Sequence, residues 1–384
     1  MKTVPERLPF VLCSHTGSPV GYSEVAALLF RSLLEIGVEV RYQSLADDYI
    51  YEQKSYDMIV NEMRSTEPER NLPWVSLCTA PLFWLNGGDY KIGWTMMEVD
   101  KISARWARAC NSMDEIWVPT PMQVDVFRDC GVEKPLYVVP LGIDTTRYMP
   151  TFLPAIFHPP EPEDEAEPKG GWKFRFFALS WWQQRKRWDL LTTAFAEEFG
   201  GEKDVGIIYK TMTAQKEGEA IDQIQHWVGN RVDDQIALVE GAFPWWEVVM
   251  MMRSAHAFVL PTAGEGWGCP SVQALACGLP VIVTDCQGPG EVLRDDDGNP
   301  FPGVYFLPAE KEVTSVHHEY YEGGNWWVTE VSEIRKAMRD VYENYDKWKL
   351  LALQGAQMVR ERRSGLVMAK AVKANLERIY RERF

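Results

Sequence analysis

One carboxylate stands in a run of glycines. In "PTAGEGWGCPSVQALACGLPVIVTD", residues 261–285, Glu265 is flanked by Gly264, Gly266 and Gly268, and Gln273 follows in the next apolar stretch. A second loaded stretch lies upstream, where "QQRKRW" at 183–188 sets Arg185, Lys186 and Arg187 side by side. Glycines let the backbone of such a turn come close to whatever binds there. Adjacent cations can offset negative charge that grows during a reaction. Each stretch also has a plainer reading. A glycine-rich turn with one solvated Glu carries no chemistry, and the alternative for an Arg-Lys-Arg cluster is a solvated face. Read as a bare loop residue, Glu265 is expected to tolerate substitution within about 0.5 kcal/mol of stability.

The elements that must position these residues are legible around them. "AHAFVLP" reads as a strand, Pro270 suits the first turn of a helix continued by "SVQALAC", Gly278 ends it, and Pro280 bars continuation. Glu265 therefore falls between the carboxyl end of a strand and a helix N-terminus, where open α/β sheets place ligands and anions are favoured. The glycine spacing is Gly-x-Gly-x-Gly, which fails the dinucleotide fingerprint, and the chain has no P-loop.

The same grammar runs through the chain. "LPFVLCS" reads as a strand, "GSPVGY" as a loop carrying Gly17 and Gly21, "SEVAALLFRSLLEIG" as a helix and "VEVRYQSL" as a second strand. "DEIWVP" is a buried strand leading to Thr120 as N-cap, Pro121 as first helical residue and Gln123 as capping-box partner, with Gly131 as the stop. "PLYVVPLGID" follows, and "WKFRFFALS", "VGIIYKT", "IALVEG" and "LPVIVTD" continue the rhythm beyond residue 171. Strands alternating with helices predict parallel α/β architecture, and 384 residues predict two such domains. We place the domains at 1–149 and 172–365, separated by the acidic, proline-rich segment 150–171. A helix over 366–384 presents Val372, Leu376, Ile379 and Tyr380 as its buried stripe.

Composition narrows the function classes. No apolar run is long enough to span a bilayer, and "MKTVPERLPFVLCSHTG" is too short and polar for a signal peptide, so a cytoplasmic location is expected. The seven Cys form no Cys-x-x-Cys pair and read as reduced structural thiols. A net charge of −15 disfavours a protein whose affinity comes from phosphate backbones, although residues 360–384 carry eight Lys or Arg against three Glu. Six His show no metal-ligand spacing, "RDDDGN" reads as a solvated turn, and no metal site is expected.

Together, "GEGWGCPSVQALACGLPVIVTD", "GSPVGYSEVAALL", "CNSMDEIWVPTPMQVDVFRDCGV" with "YVVPLGIDTTRYMP", and "QQRKRWDLLTTAF" resemble the retaining glycosyltransferases of family 4, in the order expected along most of the chain. The resemblance implies the GT-B fold, two Rossmann-like domains facing each other across a cleft, with an acceptor site on the first and a nucleotide-sugar site on the second. By resemblance Glu265 faces the donor sugar, Gly266, Trp267 and Gly268 line the donor, and Lys186 and Arg185 neutralise the diphosphate. Arg185 is the candidate substitute for a family Arg whose place is taken here by Trp181. Gly21 brings a backbone N–H to the β-phosphate, and Glu98 helps shape the acceptor site. One departure stands out: the family's second Glu, a ribose ligand, is Gln273 here, which trades charge-assisted bonds of ~1.5 to 3 kcal/mol for neutral ones of ~0.5 to 1.5.

The reading is a retaining glycosyltransferase that needs no metal and no cofactor beyond its nucleotide-sugar donor, with the sugar, the nucleotide base and the acceptor left open. Two rivals stand beside it. One is a transferase acting on a modified nucleic-acid base, kept alive by the basic stretches although nucleic acid is not favoured by net charge. The other is a non-catalytic sugar-nucleotide-binding module marked by Gln273.

Overall fold

In a computed structural model of the chain, the described residues are 4–15, 21–45, 62–63, 66–151, 171–212, 218–229, 234–314 and 320–384. Gly17 and the loop around it, and all but the ends of the acidic segment 150–171, lie outside them. The chain divides into two units, Met1–Asp144 with Thr314–Gly324 and Glu361–Phe384, and Thr145–Val313 with Asn325–Arg360.

The first unit opens with β1 (Phe10–Ser14), α1 (Gly21–Glu35), β2 (Val40–Ser44), β3 (Pro73–Leu77) and β4 (Tyr90–Trp94). It continues with α2 (Ala104–Asn111), β5 (Glu115–Val118), α3 (Pro121–Asp129) and β6 (Leu136–Val138). The strands form one parallel sheet in the order β2-β1-β3-β4-β5-β6. β1, β3 and β5 are buried along their whole length, as parallel strands covered on both faces must be. The sequence grammar did not single out β3 and β4, because "PWVSL" and "YKIGW" are only five residues each and break their apolar run with Ser, Lys or Gly.

One local expectation is overturned. Thr120 does occupy the N-cap of α3, but it makes no capping hydrogen bond. Gln123 is fully buried, and its Oε1 accepts the Met97 N–H at 3.0 Å. A buried amide satisfies the loop after β4 better than it would reach back to its own N-cap, so tertiary packing wins over the capping box.

The second unit runs β7 (Phe174–Trp181), α4 (Trp188–Phe199), β8 (Val205–Met212), α5 (Glu219–Val228), β9 (Ile236–Glu240), α6 (Trp245–Ser254) and β10 (Ala257–Leu260). It goes on through α7 (Cys269–Ala276), β11 (Val281–Thr284), α8 (Gln287–Val292) and β12 (Val304–Leu307). Its parallel sheet has the order β12-β11-β10-β7-β8-β9. An antiparallel hairpin, β13 (Glu310–Val313) with β14 (Asn325–Val328), precedes α9 (Val331–Glu343) and α10 (Tyr345–Arg362). Phe174, Phe176, Phe195 and Phe199 interlock at centroid separations of 5.0 to 6.5 Å between the sheet and α4. Each such ring contributes about 1.5–3 kcal/mol by leaving water.

The last helix, α11 (Gly365–Arg383), belongs to the first unit and buries Val372, Leu376, Ile379 and Tyr380. Two of its arginines are engaged: Arg378 pairs with Glu115 at 2.8 Å and stacks over Tyr137, and Arg381 meets Glu377 at 3.3 Å.

Candidate active site

In the second sheet, β7-β8-β9 grow in one direction and β10-β11-β12 in the other, so the strand order reverses between β7 and β10. A crevice opens at such a switch point, outside the carboxyl ends of the two strands. The stretches singled out by their chemistry leave the sheet there. "QQRKRW" follows β7, and the glycine-rich turn follows β10.

The backbone locks the two stretches together. After β7 the chain takes a 3-10 turn, Gln184–Lys186, and then places Arg187 in the left-handed region at φ 52°, ψ 46°. A non-glycine residue there costs of the order of 1–2 kcal/mol, and such strain gathers where geometry matters for function. The turn aims the Arg185 carbonyl at the β10 loop, where it accepts the Ala263 N–H at 2.7 Å and the Thr262 hydroxyl at 3.4 Å. The Thr262 hydroxyl also reaches the Gly264 carbonyl at 3.0 Å. On the far side, Gly268 enters α7 at φ +85°, where a Cβ would press to 2.9 Å from Pro289. At Gly288 a Cβ would meet the Trp267 backbone at 2.7 Å and the Glu265 carbonyl at 2.8 Å. The Gly288 N–H donates to that carbonyl at 3.1 Å, so the loop after β11 lies directly on the carboxylate-bearing turn.

Charged side chains meet inside this frame. Lys186 Nζ donates to Glu265 Oε1, Arg185 Nη1 donates to the Gly264 carbonyl, and Arg185 Nη1 stands 3.6 Å from Glu265 Oε1. All three are buried, at 5%, 7% and 6% exposure for Arg185, Lys186 and Glu265. Burial pushes the Glu265 carboxyl up, but the charges of Lys186 and Arg185 beside it outweigh that and hold it below the usual carboxylate value. One expectation is corrected here, since Glu265 is not a bare loop carboxylate. The plainer alternative for Arg185 and Lys186, a solvated cluster, falls as well: the β7 and β10 loops fold over each other and enclose the charges. Taking such charges out of water is expensive, and removing one partner of a buried pair typically costs about 3–5 kcal/mol. The tolerance expected for Glu265 therefore does not hold.

The remaining residues are placed as follows. Gly266 is buried between Glu265 and Trp267. The Trp267 indole is packed away from solvent. Gln273 is buried on α7. Gly21 is the exposed first residue of α1, with nothing within 4 Å of where a Cβ would stand. Glu98, in the first unit, accepts the Tyr321 hydroxyl at 2.7 Å. His15 is half-buried after β1, its imidazole pushed down by burial. Among the described residues, no group of three His, Cys, Asp or Glu is arranged to hold a metal ion. Sequence reasoning missed Thr262 and Gly288, which buttress the turn, and Lys210 at the carboxyl end of β8. Burial pushes Lys210 down to about 8, and its Nζ donates to the Thr211 and Gly241 carbonyls at 3.1 and 2.5 Å. A lysine in an apolar strand gives no sequence signal beyond its own oddity.

Comparison with known proteins bears on this unit through a family model and on the fold of the chain through solved structures. Residues 176–315 match the family model described as Glycosyl transferases group 1. An uncharacterised glycosyltransferase of Methanocaldococcus jannaschii is 31% identical over 93 residues, a match that spans 24% of this chain and 25% of that relative. Sucrose-phosphate synthase of Thermosynechococcus elongatus superposes with a TM-score of 0.67 over 97% of this chain and 99% of its own, at 12% identity. Anabaena HepE, solved in complex with UDP-glucose, gives 0.66 over 96% of this chain and 99% of its own, also at 12% identity. The second unit is thus similar in sequence to the group 1 glycosyltransferases, and the pair of six-stranded parallel units has the GT-B fold.

Proposed function

We propose that the protein is a retaining glycosyltransferase that moves a sugar from a nucleotide-diphosphate donor to an acceptor hydroxyl. The observation that carries this reading is the buried Lys186–Glu265–Arg185 cluster at the β7/β10 switch point, inside the stretch that matches the group 1 family. In this reading Glu265 accepts hydrogen bonds from donor-sugar hydroxyls, Gln273 holds the ribose, and the backbone of Gly266, Trp267 and Gly268 lines the donor. Gly21 and Glu98 serve the donor phosphate and the acceptor from the first unit. As the C1–oxygen bond breaks, both its electrons go to the leaving diphosphate, whose growing charge Lys186 and Arg185 neutralise. A diphosphate oxygen takes the acceptor proton while the acceptor oxygen bonds to C1 on the face the leaving group vacates. Two cations that neutralise the diphosphate take the place a divalent ion would otherwise fill.

UDP-glucose is the first probe, because HepE was solved with it. Thermal shift against UDP-, GDP-, ADP- and TDP-sugars should show stabilisation by one class, about 2.7 kcal/mol at a hundredfold excess over Kd. Transfer should persist in EDTA, and NMR of the product should show the donor's anomeric configuration retained. Loss of activity in EDTA restored by Mn²⁺ overturns metal independence, an inverted product overturns retention, and donor binding without transfer or hydrolysis leaves a binding module. Salt-sensitive DNA binding with transfer to a modified base would favour the nucleic-acid reading.

A further inference from the structure

Among the described residues, one buried amide in the loop that rests against the carboxylate-bearing turn finds no partner at either end. Gln287 opens α8 just past the carboxyl end of β11 and is 1% exposed. Neither its Oε1 nor its Nε2 has a hydrogen-bond partner among the described residues. A buried amide left in that state forfeits the bonds it made with water, about 1–3 kcal/mol for an unsatisfied group, so proteins rarely keep one without a use for it.

Its position says what the use is. The next residue is Gly288, the one whose N–H holds the Glu265 carbonyl and whose missing Cβ lets the two loops touch. The preceding residue, Cys286, is buried, and its thiol lies within electrostatic reach of Glu265, Arg185 and Lys186. Gln287 therefore belongs to the loop that lies on the carboxylate-bearing turn, between a residue whose backbone touches that turn and one whose thiol feels its charges. The chemistry of the vacancy is equally specific. A carboxamide presents one acceptor and two donors in a plane, and both ends are open. A diphosphate offers acceptors only and would leave Oε1 unpaired. Sugar hydroxyls each donate and accept, so a pair of them satisfies both ends at once.

We infer that Gln287 is a specificity-determining residue of the donor site, its carboxamide bridging two hydroxyls of the transferred sugar beside Glu265. This rests on the donor site proposed above and adds a contact to the sugar that the charge cluster does not itself supply. An analogue lacking one of the two hydroxyls leaves half of the amide unpaired again, so discrimination against deoxy sugars belongs to this residue.

Gln287→Met keeps the shape of the side chain and removes its polar atoms, which separates a ligand-seeking amide from a structural one. Without ligand the variant should melt at or above the wild-type temperature, since no bond within the protein is lost. By calorimetry its affinity for UDP-glucose should fall about tenfold, while its affinity for UDP stays unchanged. Gln287→Asn retains an amide one methylene further back, so it should fold like the wild type and lose most of the same affinity. A lower melting temperature for ligand-free Gln287→Met would show that the amide already has a partner and overturn the inference. So would an unchanged UDP-glucose affinity in both variants, or an equal loss for UDP and UDP-glucose, which would place the contact on the nucleotide. Wild-type protein that binds no nucleotide or nucleotide sugar would instead remove the donor site, and this inference with it.

Discussion

Two glutamates are buried at opposite ends of strands, one in each sheet, and their settings differ. Glu115, 1% exposed, is the first residue of β5, at the amino end of a strand. Its Oε1 accepts the Trp117 indole N–H at 2.7 Å and the Arg378 guanidinium at 2.8 Å, and its Oε2 accepts the Tyr90 hydroxyl at 3.1 Å. The donors come from two neighbouring strands and from α11, so this carboxylate ties the C-terminal helix to the sheet of its own unit. Glu265 lies past the carboxyl end of β10, and its charge partners are two adjacent cations on the neighbouring loop. Burial and pairing are alike, so neither distinguishes structure from function. In the function proposed above the end of the strand does, because the crevice that takes ligands in open α/β sheets lies outside the carboxyl ends of the strands, where their order reverses. Buried ion pairs are weak evidence for stability, since well-packed apolar residues often do as well, which makes a pair at a switch point the more telling one.

The largest effect is expected where charge and chemistry coincide. Glu265→Gln leaves Lys186 and Arg185 buried without their counter-charge, so unfolding free energy should fall by about 3–5 kcal/mol. Transfer should fall roughly ten- to a thousandfold, about 1.4 to 4 kcal/mol. A variant as stable and as active as wild type, by denaturant titration and product release, would return the turn to ordinary structure. Next comes Lys186→Ala, for which turnover should drop on the order of a hundred- to a thousandfold while UDP affinity changes much less, because charge on the leaving phosphate grows as the bond breaks. Turnover within twofold of wild type would take Lys186 out of the chemistry, and Arg185→Ala in parallel shows which cation carries it.

At the other glutamate the pattern should invert. Arg378→Ala removes one charged donor from Glu115 and should cost about 2 to 3 kcal/mol of stability with kcat unchanged below the melting range. A kinetic defect in that variant would erase the contrast between the two sites.

A smaller effect belongs to pH. His256 stacks on Phe174 at 4.8 Å between centroids, and its Nδ1 accepts the Arg175 N–H at 3.1 Å. Burial, with the nearby charges of Arg175 and Lys349, pushes its imidazole down to about 4. The folded state thus binds this proton more weakly than the unfolded chain, whose imidazole titrates near 6.5. The stability it confers is complete above pH ~6.5 and drains away as pH falls towards 4, on the order of 2 kcal/mol allowing for partial solvent access. Glu265, held below its ordinary value, contributes in the same direction at lower pH, its share complete above ~4.3 and lost as the carboxylate protonates. Urea titrations between pH 7 and 4 should show this loss, and His256→Gln should flatten it. The smallest change is Gln273→Glu, which should preserve donor affinity or raise it by up to about tenfold if that residue meets the ribose. Weaker binding would place its amide elsewhere.

The sequence by itself determined the alternation of strands and helices, the strand–turn–helix around Glu265 and the buried stripe of α11. All of these rest on short-range signals: apolar runs, Pro at a helix start, Gly at its end. It also picked out Glu265, Lys186 and Arg185, because charges beside strand ends are conspicuous. What it misjudged was their surroundings. A glycine-rich turn and a basic triplet each look solvated when read alone, and only the adjacency of β7 and β10, distant in sequence, folds one onto the other and buries both. The same cause removed the capping box at Thr120, since Gln123 found a better partner at Met97. It also hid Gln287, a residue unremarkable in sequence that becomes legible only once its carboxamide is seen buried and without a partner among the described residues. Local propensity fixes elements, but whether a polar group is satisfied depends on what the rest of the chain brings to it.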